Sequence, residues 1–490
     1  MKFTDEMFQD QIIISVFCSP EGPVTVNGID YPDRINEEQY QMLKDCGINV
    51  VYGHEVFMDK PESVAELFKA MDICAKLGLV YFVRDYITDQ YCWKCCGVGK
   101  DGRMQKLYND RTAEEKAALD AKFEENIRVY KDHPAFGGVL FADEPGSANF
   151  EGVKAGKAVF DRLCPDKRFY VNLYPMYCTP RQFQYGQAPY EEGPTDEEYT
   201  ILKYTNLQRF QHHFRQFMEI TDPDVVSFDA YTYWDIAGIH NTVHRAQWDM
   251  TQYVSDECRK NGKEYWHFLQ VGGRFCGEEH LRITNFGDVN LGISIALGYG
   301  ARALELFTGC TPNDYLGSGS HDGIIDAFGK QTEQYPMHQY AFMQVKAIEK
   351  YLAKAKLKAQ VVSDAPYFGL LPDAKIIRAI EDQWKGAGDT VFDGTFLPDG
   401  NIQVSEYGSL KGITSTSQCI VSCFEKNGET VYFLWNNSPY AASDVTVHFD
   451  GEYVYECTQR TVTDRYEGKD LTIYALPAGE NVLVRIVGKK

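Results

Sequence analysis

The chain has 490 residues, 44% hydrophobic and 24% charged, which suits two or three globular domains better than one core. Its net charge of −21 argues against a nucleic-acid partner, which needs a basic surface, and disfavours an anionic membrane. A neutral partner is easier to reconcile with that balance, and the 14% aromatic content suits a large core and stacking against sugar rings.

The N-terminal stretch MKFTDEMFQDQIIISVF lacks the basic, apolar and small-residue order of a secretory signal. No run approaches the roughly eighteen apolar residues of a membrane span. A cytoplasmic protein is therefore expected. The 14 cysteines agree, because residues such as Cys18, Cys46, Cys74, Cys164 and Cys258 fall singly within predicted strands and helices. That is the distribution of reduced, buried thiols. The cluster Cys92-Trp93-Lys94-Cys95-Cys96 contains one CxxC pair without a second at zinc spacing, so neither metal nor cofactor is expected.

From residue 12 to about 310, short apolar runs alternate with amphipathic stretches. The runs are IIISVF (12–17), INVVYG (48–53), LVYFVRD (79–85), GGVLFADEP (137–145), RFYVNLYP (168–175), DVVSFDAYTYW (224–234), EYWHFLQVGG (264–273) and ARALELFTG (301–309). Helical patterns such as 37–47, 63–78 and 289–300 lie between them, each ending in Gly. Eight strand–helix alternations predict a (β/α)8 TIM barrel; an open doubly wound sheet is the alternative, but no Gly-rich phosphate loop follows the first strand. After a last helix predicted over 339–356, short alternating runs separated by Gly, Asn, Asp and Pro predict an antiparallel β-sandwich. The expected division is a barrel domain over 1–355 and a sandwich over 356–490. The pieces 86–115, 178–205 and 309–335 follow barrel strands and are placed to build and cover an active site.

Strand residues alternate faces, and the outer face of a barrel strand must be apolar to meet its helix. The rule sends Tyr170, Asn172 and Tyr174 inward on the fifth strand, and Ser227, Asp229 and Tyr231 on the sixth. It sends Glu305 and Phe307 inward on the eighth. Leu140, Ala142 and Glu144 share a face of the fourth strand, with Glu144 at its C-terminal end; Trp266, Phe268 and Gln270 share one on the seventh. The inward polar set is Glu144, Asn172, Tyr174, Asp229, Tyr231, Gln270 and Glu305. Barrel interiors are normally filled by branched apolar residues, so acids at strand ends read as chemistry, set against the plainer reading of buried structural acids. The His residues show no metal-ligand or triad pattern, and the pairs His212-His213 and His240/His244 read as surface residues.

These residues carry a resemblance. GGVLFADEP resembles the fourth strand of clan A glycoside hydrolases, where a strand-end Glu-Pro carries the acid/base. The stretches SIALGYGARALELFTG (294–309) and DAFGKQTEQYPMHQYAFMQVKAIEKYL (326–352) resemble the end of the barrel in family 42-type β-galactosidases and their uncharacterised relatives. YFLWNNS (432–438) and LPAGENVLVRI (476–486) resemble the C-terminal domain such enzymes often carry. Two departures stand out: the seventh strand ends in Gln270 where clan A places a nucleophilic Glu, and Asp143 replaces the usual Asn before the acid. The Asp143-Glu144 pair is reminiscent of family 20 and family 123 hexosaminidases, in which the Asp orients a substrate 2-acetamido group that serves as nucleophile.

The resemblance implies a glycoside hydrolase acting on carbohydrate, with Glu144 as general acid/base. Glycosidic cleavage needs a second carboxylate or an internal nucleophile opposite the acid. Glu305 is the first choice, since strands four and eight face each other across the barrel, and Asp229 is the reserve. Asp143, Asn172, Tyr174, Asp229, Tyr231 and Gln270 are expected to bind substrate. The alternatives are a substrate-assisted N-acetylhexosaminidase using Asp143-Glu144, a non-catalytic sugar-binding barrel, and a lyase or isomerase on the same fold. A homo-oligomer remains open.

Overall fold

The computed structural model describes residues 6–92, 97–98, 104–105, 107–186, 206–236, 239–243, 246–276, 279–313, 320–365 and 402–490. Eight parallel strands close into a barrel: β1 (Ile13–Val16), β2 (Val50–Val56), β3 (Val80–Asp85), β4 (Phe136–Asp143), β5 (Arg168–Leu173), β6 (Val225–Phe228), β7 (Glu264–Gln270) and β8 (Ala303–Phe307). Each pairs with its neighbours in sequence, and β8 closes on β1 with Ser15 opposite Glu305. Eight longer helices alternate with the strands: α1 (Glu37–Cys46), α2 (Pro61–Leu77), α3 (Ala113–Tyr130), α4 (Phe150–Leu163), α5 (Asn206–Thr221), α6 (Ala246–Asn261), α7 (Phe286–Gly298) and α8 (Gln334–Leu352).

Local chemistry sets their ends. Asn36 caps α1 through the Gln39 amide, Thr112 and Glu115 form a reciprocal capping box on α3, and Gly47 and Gly78 end α1 and α2 in the left-handed conformation. The last helix starts and stops earlier than its pattern suggests. Residues Ala353–Ala355 leave α8, and from Lys356 alternate residues Leu357, Ala359 and Val361 are buried, the period of a strand.

The C-terminal strands are β9 (Lys356–Val362), β10 (Leu410–Ser415), β11 (Cys419–Lys426), β12 (Glu429–Asn436), β13 (Ser443–Gln459), β14 (Val462–Leu476) and β15 (Asn481–Lys489). They make one antiparallel sheet in the order β9-β11-β12-β15-β13-β10, with β14 pairing β13. The sheet curls so that Ala359 and Val361 at one end share a core with Leu410, Val445 and Leu471 at the other, a sandwich-like half-barrel. Its opposite face contributes Ile420, Phe433, Trp435 and Leu483 to the same core as the barrel helices. α7 is therefore apolar all round, buried from Asp288 to Gly298 between the barrel and the sheet. Trp435 fits against Gly298, where a Cβ would come within 2.7 Å of its indole nitrogen. Trp248 donates to Asn437 Oδ1 (2.9 Å), and Ser294 to the Gly479 carbonyl (2.7 Å), across the same seam.

Inside the barrel, Tyr52, Phe82, Tyr170 and Trp266 pack with ring centroids 4.9–6.4 Å apart, sharing the interior with the branched side chains of Ile13, Val50, Val80, Leu140 and Val225. Above the mouth lies a second sheet built from loop segments: Tyr233–Ile236, Ile239–Val243, Gly273–Cys276, Glu279–Leu281 and Ser320–His321. The sixth and seventh sequence runs thus each divide into a barrel strand and a strand of this cover. Gly272 and Gly273 allow the turn, because a Cβ at either would strike His321.

Among the described residues, the eleven cysteines are free and no helix is long and apolar enough to cross a membrane. Cys92 is buried in a short helix, while Cys95 and Cys96 lie outside the described residues. His213, expected on the surface, is buried between Phe150 and Phe183, and burial lowers its pKa to about 3. His240 and His244 fall where no side chain is described.

Candidate active site

The fourth strand departs from strict alternation in a way that organises the barrel mouth. Leu140 pairs with Tyr170 and Ala142 with Val171, so Phe141 is an extra residue, a β-bulge. Leu140 faces the interior, Phe141 and Ala142 both face the helices, and Asp143 returns to the interior opposite Asn172. The expectation that Leu140, Ala142 and Glu144 share a face is corrected by this bulge. Glu144 follows with φ 51°, its amide donating to the Asn172 carbonyl at 2.9 Å. Both acids are half-buried at the mouth.

Asn172 links the acids of neighbouring strands. Its Nδ2 donates to Asp143 Oδ1 (3.0 Å) and Asp229 Oδ1 (2.8 Å). Tyr231 donates its hydroxyl to the same Asp229 oxygen at 3.0 Å. Asp229 is also hydrogen-bonded to Glu144, and burial, then the Glu144 and Asp143 carboxylates, push its pKa well above the usual range. Tyr177 exchanges hydrogen bonds with the backbone of Tyr231 (both 3.1 Å), and the Cys178 thiol is raised by burial and then by Glu144 and Asp229. Both residues lie on the loop after β5.

Glu305 points inward as expected, but it is fully buried. Tyr52 and Ser227 donate short hydrogen bonds to its two oxygens, and Ser15 Oγ lies 3.5 Å from one of them. Burial raises its pKa to about 7, against the pull of those donors. Sealed in this way, Glu305 is out of a substrate's reach and belongs to the packed interior. Gln270 is equally occupied: its amide accepts from the Tyr233 amide (3.1 Å) and donates to the Tyr233 (3.0 Å) and Arg282 (2.8 Å) carbonyls, pinning the cover to β7. Tyr174, expected inward, packs on the helix side against Phe183 and His213. The barrel mouth therefore brings together Asp143, Glu144, Asn172, Asp229 and Tyr231, and not Gln270 or Glu305.

Sequence reasoning missed a second group. Arg84, on β3, pairs with Glu55 of β2 at 3.0 Å. Burial works against its charge, but Glu55, Asp143 and Asp89 outweigh it. Glu55 and Arg84 also border a cavity of about 550 Å³ lined by His54, Phe57 and Asn313. Phe17 and Phe307, both half-buried, form an aromatic floor with Tyr231 and Phe268, with centroids 5.2–6.3 Å apart. The charged ends of β2 and β3 were the available signal, since both strands are otherwise apolar runs. Among the described residues, no group of three or more His, Cys, Asp or Glu side chains is placed to hold a metal ion.

No protein-family model matches the sequence, and no curated protein is similar to it. Among solved structures, the chain is similar to the β-galactosidase of Bacillus circulans sp. alkalophilus, with a TM-score of 0.53 at 12% identity over 98% of this chain and 100% of that one. The β-galactosidase of Rahnella sp. R3 gives 0.51 at 12% identity over 98% of each chain. The β-galactosidase of the psychrophilic Marinomonas ef1 gives 0.46 at 11% identity over 73% of this chain, which spans 63% of that enzyme's length. At these identities the likeness to the first two is one of fold alone, a barrel followed by a C-terminal domain.

Proposed function

We propose that the chain is a glycoside hydrolase in which Glu144 is the general acid/base and Asp143 orients an internal nucleophile, the 2-acetamido group of an N-acetylhexosaminide. The observation carrying this reading is the bulge at Phe141, which turns Asp143 into the mouth beside Glu144. Strict alternation would point it at the helices. Burial of Glu305 removes the carboxylate first expected opposite the acid. Asp229 is a poor replacement: hydrogen-bonded to Glu144, it sits closer than the about 5–5.5 Å of a retaining carboxylate pair.

Each group then has a task. Glu144 protonates the departing oxygen and later activates water. Asp229 is hydrogen-bonded to Glu144 while its Oδ1 accepts from Asn172 and Tyr231, which fixes the acid's position. Asp143, held by Asn172 and close enough to Arg84 to feel its charge, is placed to accept from an acetamido N–H. Phe17 and Phe307 offer apolar faces to a sugar ring.

The test compares Asp143→Asn, Glu144→Gln and Glu305→Gln on nitrophenyl glucoside, galactoside and N-acetylhexosaminide. Activity confined to the N-acetyl sugar, abolished by Asp143→Asn and nearly untouched by Glu305→Gln, is expected. Turnover of galactoside that survives Asp143→Asn would return the choice to two protein carboxylates. Absence of turnover on every sugar tried, with binding retained, would favour a sugar-binding barrel.

A further inference from the structure

Glu144 and Asp143 look to different sides of the barrel mouth. Strands β2, β3, β4, β5 and β6 follow one another round the barrel. From the end of β4, Glu144 reaches toward β6, where it is hydrogen-bonded to Asp229. Asp143 lies close enough to Arg84 on β3 to act on its charge. Beyond Arg84, toward β2, is the cavity of about 550 Å³, closed by the loop after β1, the ends of β2 and β3, and Asn313. Its volume falls within the roughly 300–1,000 Å³ usual for small-molecule sites.

The lining is polar, and its charges are largely balanced. Buried Arg34 holds Glu21 at 2.8 Å, and Arg84 holds Glu55 at 3.0 Å. Glu66 stands on the rim against Gly22, where a Cβ would come within 2.4 Å of Glu66 Oε1. Asn313 supplies an unused donor. Its Oδ1 accepts from Arg34 (2.7 Å) and its backbone amide donates to Glu21 (2.9 Å). Its Nδ2 has no partner among the described residues, although the residue is only 5% exposed. An unpaired buried donor is costly, and a ligand hydroxyl that reaches it restores the bond. Carboxylates that accept, an amide that donates and the ring of Phe57 beside them suit a neutral, hydroxyl-rich ring better than an ion.

The geometry of a pyranose decides what reaches this cavity. C1 carries the leaving oxygen, C2 carries the acetamido group, and C3 and C4 lie on the edge far from C1. With the leaving oxygen at Glu144 and the acetamido group at Asp143, that far edge turns toward β3 and β2. We propose that the cavity holds a further sugar, joined through the C3 or C4 oxygen of the residue being cleaved. The enzyme then releases a disaccharide or a longer piece, not a single terminal sugar. Glu66, Asn313 and Phe57 set its specificity. The inference rests on the roles given above to Asp143 and Glu144.

The experiment measures kcat/KM on a nitrophenyl N-acetylhexosaminide and on the same glycoside extended at C3 or at C4 by a hexose or N-acetylhexosamine. At least one extended glycoside is expected to be faster by about tenfold or more, the effect of one or two added hydrogen bonds. Gly22→Leu puts a branched side chain into the cavity. The nearest atoms to its Cβ are the end of the exposed Glu66 side chain, which can move aside, so the fold should tolerate it. Gly22→Leu should erase the advantage of the extended glycoside, and Glu66→Ala should cut it by about threefold or more. Extended glycosides no faster than the parent, or an advantage that survives both substitutions, would overturn the proposal. If no glycoside is turned over, the catalytic reading fails by itself and calorimetric binding of the free disaccharides judges the cavity. Saturable binding weakened about tenfold by Gly22→Leu is then the supporting result, and binding that is absent or unchanged in that variant is the refuting one.

Discussion

Asp229 and Glu144, at the ends of strands β6 and β4 on either side of β5, share a hydrogen bond, which two carboxyl groups form only when one of them carries a proton. The acid/base candidate is thus one of two carboxyls that hold a proton between them, and the pair does not repel as two carboxylates would.

Replacing Glu144 by Gln should slow glycosides with poor leaving groups by about 10²–10⁴ more than activated aryl glycosides, because only the former need a proton to depart. The check is kcat/KM on a natural disaccharide and on an activated nitrophenyl glycoside. Equal loss on both would give Glu144 another role.

Asn172→Ala should damage both stability and activity. The amide holds Asp143 and Asp229 through two hydrogen bonds in a buried setting. Its removal leaves both acceptors short of a donor, at a cost of about 1–3 kcal/mol. Urea unfolding and kcat/KM report the two effects, and a variant with unchanged unfolding midpoint and full activity contradicts the role.

Glu305 gives the fold a pH dependence. Its folded pKa of about 7 lies above the ordinary 4.5, so the native state keeps a proton that the unfolded chain releases. The associated stability is present below pH 4.5 and is lost as pH rises to about 7, on the order of 3 kcal/mol in all. Glu305→Gln should flatten that part of the stability–pH curve. A slope remains from Asp85, which burial also raises to about 7. An unchanged curve in urea titrations between pH 4.5 and 7.5 refutes the assignment.

Cutting the chain after residue 355 should not release a stable barrel. The cut exposes the buried face of α7 and the seat of Trp435 against Gly298, apolar surface that the sheet covers. Size-exclusion chromatography of the fragment should show aggregates, and a monodisperse folded barrel would be the contrary result.

Much of the barrel was legible because its strands obey one rule. Val171, Leu173, Val226, Phe228, Leu304 and Leu306 all face the helices as alternation requires, and Glu144 stands at the C-terminal end of its strand. What failed was local. The bulge at Phe141 has no Gly or Pro at its position to announce it, so alternation alone gives no inward turn to Asp143. Tyr174 lies just past the end of β5, where alternation no longer applies. Alternation also gives direction without depth: Glu305 and Gln270 point inward but are sealed and engaged. Arg84 and Glu55 went unnoticed because a pair formed between two strands leaves no spacing signal in either.

The conformation of Glu144 has a consequence for how this protein can be altered. A glutamate at φ 51° occupies a backbone region that costs a side-chain-bearing residue about 1 kcal/mol or more, and asparagine tolerates it better. The position is therefore one where improving the fold and keeping the chemistry pull in opposite directions. Glu144→Asn should unfold at a higher denaturant concentration than the parent while losing glycosidase activity. A screen that selects for robustness alone would drift toward that substitution, and only selection for turnover would hold the glutamate in place.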